Sequence, residues 1–271
     1  MVAAEIHPHH GKPVLRDLSD GLLRLILNRP ERRNALSDDM LALLQEEIDA
    51  AMANESVGVV IISGRGPVFS SGHDLSEIKA HRRDRDGGRA YFTDLMTRCS
   101  RLMTSLAALP KPVIAEVHGL ASAAGCQLVA SSDLVVAGNS ARFCTPGVNI
   151  GLFCTTPMVA LTRAIGPRHA LEMLLTGETL SAEEAHRIGL VNRVVADNDL
   201  AREGERLARQ LLGKSAKAIA FGKRAFVAQQ RMSLDHAYAL AGKVMVDNLL
   251  TDDADEGIGA FLDKRPPRWP R

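Results

Sequence analysis

The fold of this chain is decided by two glycine-bearing stretches, FSSGHDL at residues 69–75 and HGLASAAGCQ at residues 118–127. Each stretch follows an apolar, β-branched run, residues 59–62 before the first and 112–117 before the second, which is typical of a buried strand. Each therefore predicts a turn at a strand exit, where backbone N–H groups are free. Two converging N–H donors of this kind stabilise an oxygen atom that acquires negative charge.

The size and composition of the chain fit a globular α/β protein. Its 271 residues are 46% hydrophobic, which is enough for one large domain or for a core domain with a small appendage. A net charge of +1 gives no reason to expect nucleic acid or a membrane surface as the main partner. The first ten residues lack the pattern of a secretory signal, and no apolar run approaches the length of a membrane span. We therefore expect a cytoplasmic protein.

The cysteines carry no metal or disulfide signature. Cys99, Cys126, Cys144 and Cys154 form no C-x-x-C pair, and no histidine cluster has the spacing of zinc ligands. We expect a reduced interior with no metal and no cofactor. Cys126 and Cys154 could suggest nucleophilic catalysis, but neither has a visible partner base, so buried structural thiols are favoured.

The N-terminal half of the sequence alternates strand and helix signals. Residues 14–16 and 22–27 flank the turn Ser19-Asp20-Gly21 and predict a hairpin, and Ser37 can cap a following amphipathic helix. The strand at 59–62 then suggests a crossover unit. A charge-dense loop at 81–89, a helix at 92–106 and short strands at 134–137 and 142–144 continue the pattern.

The C-terminal half reads mainly as helix. From residue 156 the pattern is mainly that of helices, with a capping box at Ser181 and Glu184, and one strand-like run at 191–195 interrupts it. Residues 198–264 predict several amphipathic helices, an appendage of a kind that commonly packs on a partner subunit.

Taken in order, short motifs along nearly the whole chain resemble the enoyl-CoA hydratase/isomerase (crotonase) family. These motifs are NRP at 28–30 with RNAL at 33–36, the two turn stretches, TG at 176–177, AEEA at 182–185, GLV at 189–191, EGI at 256–258 and AFLDK at 260–264. The resemblance implies an α/β spiral of repeated ββα units over residues 1–197 and a C-terminal helical oligomerisation region over residues 198–271. It also implies a homotrimer or hexamer that binds coenzyme A thioesters.

The resemblance assigns an oxyanion hole to the two turns. In the family its N–H donors come from the positions of His73 and Ala124, and a helix beginning at Ala124 would add a favourable dipole. Family members often have glycines where this chain has Ala123 and Ala124. An alanine methyl can fit at these positions if its φ angle is negative, so this departure from the family pattern is mild.

The catalytic acids of the family's hydratases are missing. The two glutamates that activate water and deliver a proton correspond here to Gln127 and Gly147, and neither residue can exchange a proton at neutral pH. General acid/base assistance is worth ~10²–10⁴-fold, so the resemblance predicts weak or absent hydratase activity. The stretch TPGVNIGLFC at residues 145–154 also resembles a subgroup of hydratase domain-containing proteins that lacks both glutamates.

Coenzyme A contacts are also implied by the resemblance. They would involve Arg33, Ala35, Ser71, His73, Asp74, Leu75, Phe261 and Lys264, the last from a neighbouring chain, with Arg29 and Arg32 as further cations for the phosphates.

Two alternatives remain open at the level of sequence. His73 stands where family members resembling methylmalonyl-CoA decarboxylase carry histidine, so decarboxylation of a malonyl-type thioester is one alternative, although the tyrosine of those enzymes is replaced by Cys154. A backbone role of His73 is favoured over a side-chain role. A non-catalytic acyl-CoA binding protein is the other alternative. Glu116 and Asp74 could supply an acid, but a structural role for Glu116 and a helix-capping role for Asp74 are favoured.

Overall fold

The computed structural model describes residues 11–269 as an α/β protein. The strands are Val14–Ser19 (β1), Leu22–Leu27 (β2), Val59–Gly64 (β3), Val113–Val117 (β4), Leu120–Ser122 (β5), Leu134–Gly138 (β6), Arg142–Cys144 (β7), Leu180–Ser181 (β8) and Arg193–Val195 (β9). The helices are Asp38–Ala53 (α1), Leu75–His81 (α2), Arg89–Ala108 (α3), Ala124–Ala130 (α4), Thr155–Ala164 (α5), Pro167–Thr176 (α6), Ala182–Arg187 (α7), Leu200–Leu212 (α8), Ala216–Gln229 (α9), Leu234–Leu249 (α10) and Asp252–Leu262 (α11). The predicted α/β class with a helical C-terminal region is confirmed.

The main sheet has the strand order β1-β2-β3-β4-β6-β9. β1 and β2 form the predicted antiparallel hairpin, while β2, β3, β4, β6 and β9 are parallel. A second sheet, with the order β5-β7-β8, begins directly after β4. Because β2, β3 and β4 are parallel, the loops that follow them leave the same edge of the sheet, which is where ligands bind in open α/β sheets.

The two faces of the main sheet have different neighbours. On β4, the side chains of Val113, Ala115 and Val117 belong to the large core, which also contains the buried faces of α1 and α3. Ile114 points the other way, into a smaller apolar cluster under α8. The helix α8 thus packs on the core sheet, and the division of the chain at residue 198 stays a prediction.

Local capping signals place several helix starts. The Ser37 hydroxyl accepts from the Met40 amide at the start of α1, and the predicted capping box of Ser181 and Glu184 begins α7. The loop before α3 is shorter than predicted, since α2 reaches His81 and α3 already begins at Arg89. The Asp86 carboxylate explains the early start because it accepts from the Ala90 amide at 2.8 Å.

Lys223 makes one of the links between the C-terminal helices and the core. Lys223 of α9 donates from Nζ to the Leu106 carbonyl at 3.0 Å and pairs with Asp133 at 2.6 Å. α11 packs on α9 and α10. These helices leave large apolar side chains exposed, among them Leu250 and Phe261, a pattern that suits contact with a partner. Oligomerisation stays a prediction, and within residues 11–269 no helix is long and apolar enough to cross a bilayer.

Candidate active site

The two turns identified in the sequence lie side by side. The Ser122 amide donates to the Ser70 carbonyl at 2.9 Å, and the Ser70 amide donates to the Leu120 carbonyl at 3.1 Å. A third bond runs from the Phe69 amide to the His118 carbonyl at 3.1 Å. Backbone bonds therefore hold the two strand exits in a fixed register, independently of the side chains that they carry.

Gly72 is a point of close approach between the turns. Its φ is +90°, and a Cβ placed on it would lie 3.1 Å from the Ala124 nitrogen and 2.9 Å from the Ala123 Cβ. The amides of His73 and Ala124 are thus neighbours across the gap. Within the described part of the chain, neither amide donates a hydrogen bond to a protein acceptor. Two adjacent free donors are what a thioester oxygen would require.

The condition of a negative φ angle is not met at Ala123. This residue has φ +49° and ψ −118°, whereas Ala124 begins α4 with helical geometry. The Ala123 amide donates to the Cys144 carbonyl at 2.9 Å, and its carbonyl accepts from the Gln127 amide at 3.0 Å. These bonds hold a backbone conformation that favours glycine, at a cost of about 1–3 kcal/mol.

Gln127 is buried within the first turn of helix that follows Ala124. Its Oε1 accepts from the Cys99 thiol of α3, with a distance of 3.8 Å between the sulfur and the oxygen. Burial raises the pKa of the Cys99 thiol to about 11, so this contact joins two neutral groups at pH 7. It offers hydrogen bonding and no proton-accepting carboxylate.

Gly147 has no room for a side chain. A Cβ on this residue would lie 2.9 Å from the Cys154 Sγ and 2.9 Å from the Leu152 carbonyl oxygen. Cys154 is nearly buried, and burial raises the pKa of its thiol. The fully buried Cys126 also has a raised pKa because of burial. Both thiols are therefore protonated at neutral pH and are poor nucleophiles.

The His73 ring is turned away from free solvent. Its Nδ1 lies 3.4 Å from the Leu36 carbonyl oxygen, which can only accept, so this weak bond places the hydrogen on Nδ1. Its Nε2 is buried and has no partner within residues 11–269. Burial lowers the pKa of His73, and the charge of Arg98 adds to this effect. The ring is therefore neutral at pH 7.

A polar cluster beside His73 was not foreseen from the sequence. Arg98 of α3 pairs with Asp38 at the start of α1, and the Tyr91 hydroxyl donates to the same carboxylate at 3.3 Å. Glu77 of α2 accepts from the Asp38 amide at 3.0 Å. These acids hold three helices together. Contacts over such sequence separations leave no local signal.

Glu116 lies on the other side of the main sheet from the two turns. Its carboxylate pairs with Arg24 at 3.1 Å, underneath Gly204 of α8. Burial raises the pKa of Glu116 to about 7, and this effect outweighs the attraction of Arg24. The structural role favoured for Glu116 agrees with this placement, since the carboxylate does not face the two amides.

The loop after β2 is hydrogen-bonded to the first turn, and the two form one continuous surface. The Ser71 amide donates to the Arg33 carbonyl at 3.0 Å, and the Leu36 amide donates to the Gly72 carbonyl at 2.8 Å. Asp74 caps α2 by accepting from the Ser76 amide at 2.8 Å, as favoured from the sequence.

The remaining predicted coenzyme contacts fall into two groups. Arg33 and the exposed Leu75 lie on the surface just described, together with the buried Ala35. Phe261, which is 82% exposed, lies on α11, and Lys264 follows that helix. The contact of Phe261 with the coenzyme and the contribution of Lys264 from a neighbouring chain stay predictions. Residues 11–269 contain no cluster of three side chains suited to a metal ion.

Solved structures with the same architecture include two close matches. The crystal structure of an enoyl-CoA hydratase from Mycobacterium smegmatis has a TM-score of 0.91 and 46% identity, covering 95% of this chain and 98% of that chain. The human enoyl-CoA hydratase domain-containing protein 3 has a TM-score of 0.90 and 46% identity, covering 95% of this chain and 100% of that chain. The crotonase-like fold predicted from the motifs is confirmed.

The names of curated relatives contradict the predicted cellular location. The rat protein named "Enoyl-CoA hydratase domain-containing protein 3, mitochondrial" is 48% identical over 250 residues, covering 92% of this chain and 82% of its own length. Its frog, mouse and human counterparts are also named mitochondrial. The expectation of a cytoplasmic protein is contradicted by these names, and the ten N-terminal residues that it used lie outside the described residues.

The family itself is settled over almost the full length. The sequence model described as Enoyl-CoA hydratase/isomerase matches residues 17–271. The resemblance of residues 145–154 to the subgroup of hydratase domain-containing proteins agrees with the names of these relatives. This chain belongs to the enoyl-CoA hydratase/isomerase family.

Proposed function

We propose that this protein binds acyl-CoA thioesters by donating the His73 and Ala124 amides to the thioester oxygen, and that it hydrates enoyl-CoA only weakly. The adjacent position of these two free amides across Gly72 is the observation that carries the proposal. Such donors stabilise the negative charge that develops on the oxygen when the thioester becomes an enolate.

The weak hydratase activity that we propose is based on Gln127 and Gly147, which stand at the positions of the family's two glutamates. Gln127 bonds to a neutral thiol, and the position of Gly147 is filled by Cys154 and a carbonyl group. Neither can activate water or protonate the α-carbon as a glutamate would. General acid/base assistance contributes ~10²–10⁴-fold to a rate, so we expect hydration of crotonyl-CoA to be slower than in a two-glutamate enzyme by at least that factor.

Binding and turnover are measured together to test this proposal. Calorimetric titration with butanoyl-CoA is expected to give saturable binding, while crotonyl-CoA hydration, followed by loss of enoyl absorbance, is expected to be slow. Absence of binding would reject the proposed ligand class. Turnover close to that of a two-glutamate relative, assayed in parallel, would reject the role assigned to Gln127 and Gly147.

Introducing glutamates at positions 127 and 147 is a sharper test, because the groups that would obstruct a side chain at position 147 are known. The double change Gln127→Glu with Gly147→Glu is expected to give little hydratase activity, since the new Cβ at 147 would lie 2.9 Å from the Cys154 Sγ. Adding Cys154→Ala removes one of the two obstructing groups. We expect the triple variant to hydrate crotonyl-CoA about tenfold faster than the double variant. Equal rates would show that Cys154 does not limit the site.

Decarboxylation of a malonyl-type thioester is the second candidate. It is favoured by the neutral His73 ring and by Gln127 and Gly147, which place no negative charge beside the substrate's own carboxylate. Loss of carbon dioxide forms the enolate directly, so no base is required. Release of carbon dioxide from malonyl-CoA or methylmalonyl-CoA above the uncatalysed rate would support it. Binding without turnover of any of these esters would leave a non-catalytic acyl-CoA binding protein.

The predicted assembly is part of the same proposal. The exposed apolar side chains of α9, α10 and α11 support a homotrimer or hexamer. Sedimentation of the purified protein would test it, and a monomer at micromolar concentration would reject it.

A further inference from the structure

The end of α2 and the loop that joins it to α3 carry a dense group of positive charges. Residues 79–89 contain five lysine or arginine side chains and two carboxylates, a net charge of +3, whereas the whole chain has a net charge of +1. The rest of the chain therefore carries a net charge of −2. The five cations, which we call the basic patch, are Lys79, Arg82, Arg83, Arg85 and Arg89.

The side chains of the basic patch are available to a partner. All five residues are exposed, and within residues 11–269 none of them forms an ion pair. The two carboxylates of the loop are bound elsewhere. Asp84 lies 2.7 Å from the His81 Nδ1, and Asp86 accepts from the Gly88 and Ala90 amides at 2.9 and 2.8 Å. The positive charge of the patch is therefore not offset by ion pairs of its own.

The backbone that carries the patch is held in place. The Gly87 amide donates to the Asp84 carbonyl at 2.8 Å, which closes a turn within the loop. The His81 ring stacks on Tyr91 of α3, with ring centroids 3.6 Å apart. Because these contacts fix the loop against α3, a partner can bind the patch without first ordering its backbone, which lowers the entropic cost of binding.

The basic patch lies one short helix away from the candidate site. α2 begins two residues after His73 and rises roughly 10 Å to its end at His81, where most of the cations are placed. A phosphopantetheine arm of about fourteen bonds spans roughly 18 Å when extended, given single bonds of about 1.5 Å. The arm is thus long enough to reach the His73 amide from a carrier that is bound at the patch.

The chemistry of the patch favours an acidic protein surface. Thioesters are carried on this arm both by coenzyme A and by small, acidic, helical carrier proteins. Exposed arginines match the carboxylates of an acidic helix, since a guanidinium can bind a carboxylate through two hydrogen bonds. A bilayer or a nucleic acid covers a larger area, and the net charge of −2 on the rest of the chain would repel it.

We propose that the basic patch binds an acidic carrier protein, and that the protein accepts acyl thioesters from the phosphopantetheine arm of this carrier as well as from coenzyme A. The inference rests on the proposed function, because it requires the thioester oxygen to be held by the amides of His73 and Ala124.

The test compares butanoyl-CoA with a butanoyl-loaded acyl carrier protein by calorimetric titration of the full-length protein at physiological salt. The loaded carrier is expected to bind saturably, and the carrier without its arm at least about tenfold more weakly, because it has lost one of two linked contacts. Arg83→Glu with Arg85→Glu is expected to weaken binding of the loaded carrier by at least about 20-fold. Butanoyl-CoA affinity should stay within about twofold, since salt screens charges beyond about 8 Å, and this also shows that the variant is folded.

Arg187→Glu with Lys214→Glu is the matched control, because it changes the net charge by the same amount at two exposed residues outside the patch. This variant is expected to bind both esters as the wild type does. Three results would overturn the inference and leave the proposed function intact: butanoyl-CoA binds but the loaded carrier does not, the Arg83 and Arg85 changes weaken both esters equally or neither, or phosphatidylglycerol vesicles bind in place of the carrier. Failure of both esters to bind would instead reject the proposed function.

Discussion

The candidate site has two halves that differ in what defines them. The main-chain half consists of the amides of His73 and Ala124 and is held by backbone bonds between the turns. The side-chain half consists of Gln127 and Gly147, the latter packed against Cys154. Backbone geometry persists as long as the fold does, whereas side chains can be exchanged one at a time. The comparison teaches that a fold fixes its backbone donors more firmly than it fixes the side chains around them.

The largest effect is expected from breaking the main-chain half with Gly72→Ala. The new Cβ would meet the Ala123 Cβ at 2.9 Å and the Ser122 oxygen at 3.0 Å, at a φ of +90°. We expect a loss of about 3 kcal/mol in the free energy of unfolding and loss of butanoyl-CoA binding. Urea denaturation and calorimetry measure the two effects.

Gly222→Ala is the control for this change. Gly222 lies within α9, and a Cβ there meets nothing within 4 Å. Alanine is expected to be neutral or stabilising by up to about 1 kcal/mol. A Gly72→Ala variant as stable as the wild type would contradict the close approach of the two turns.

A smaller effect is expected from changing Glu116, whose carboxylate lies on the other side of the main sheet from the candidate site. Burial raises the pKa of Glu116 to about 7 from an ordinary 4.5, so the folded protein retains a proton that the unfolded chain releases between these values. The free energy of unfolding contributed by this group is therefore highest below pH 4.5 and falls as the pH rises to 7. Glu116→Gln removes this dependence.

We compare the free energy of unfolding of Glu116→Gln with that of the wild type at each pH. The difference, variant minus wild type, is expected to be about 2 kcal/mol larger at pH 8 than at pH 5. Urea midpoints at a series of pH values measure it. Hydration and binding rates should not change, because the carboxylate pairs with Arg24 on the far side of the sheet. A change in turnover with unchanged stability would place Glu116 in the chemistry.

The smallest effect is expected from relieving the strain in the second turn. Ala123→Gly removes the Cβ from a residue at φ +49° and is expected to raise the free energy of unfolding by about 1 kcal/mol, without loss of butanoyl-CoA binding. The neighbouring Ala124→Gly is the comparison, and it is expected to be destabilising because Ala124 is helical. Changes of opposite sign in the free energy of unfolding would confirm that the two alanines differ in backbone conformation, and changes of equal sign would refute it.

The sequence predicted those parts of the structure that local rules govern. The hairpin around Ser19-Asp20-Gly21, the capping of α1 by Ser37 and the capping box of α7 depend on residues within a few positions of one another. The conformation of Ala123 was missed because it is imposed by the Cys144 carbonyl, which is distant in sequence. The obstruction at Gly147 by Cys154 has the same kind of origin. It comes from the fold of a loop and not from a residue preference.

The placement of acids was predictable in part. Asp74 follows a glycine turn and precedes a helix, so its capping role can be read locally. The cluster of Asp38, Tyr91 and Arg98 joins elements more than fifty residues apart, and sequence spacing gave no sign of it. The cellular location of the protein was predicted wrongly because amino-acid composition does not encode it.

All four cysteines of the chain are unpaired and buried. Cys99 and Cys154 contact the two positions of the missing acids, and Cys126 lies on α4 between Ala124 and Gln127. These thiols are thus native reporter groups, since a chromogenic thiol reagent in solution can label them only when the surrounding helices part. The rate of labelling would report the opening of this one neighbourhood, with no engineered tag.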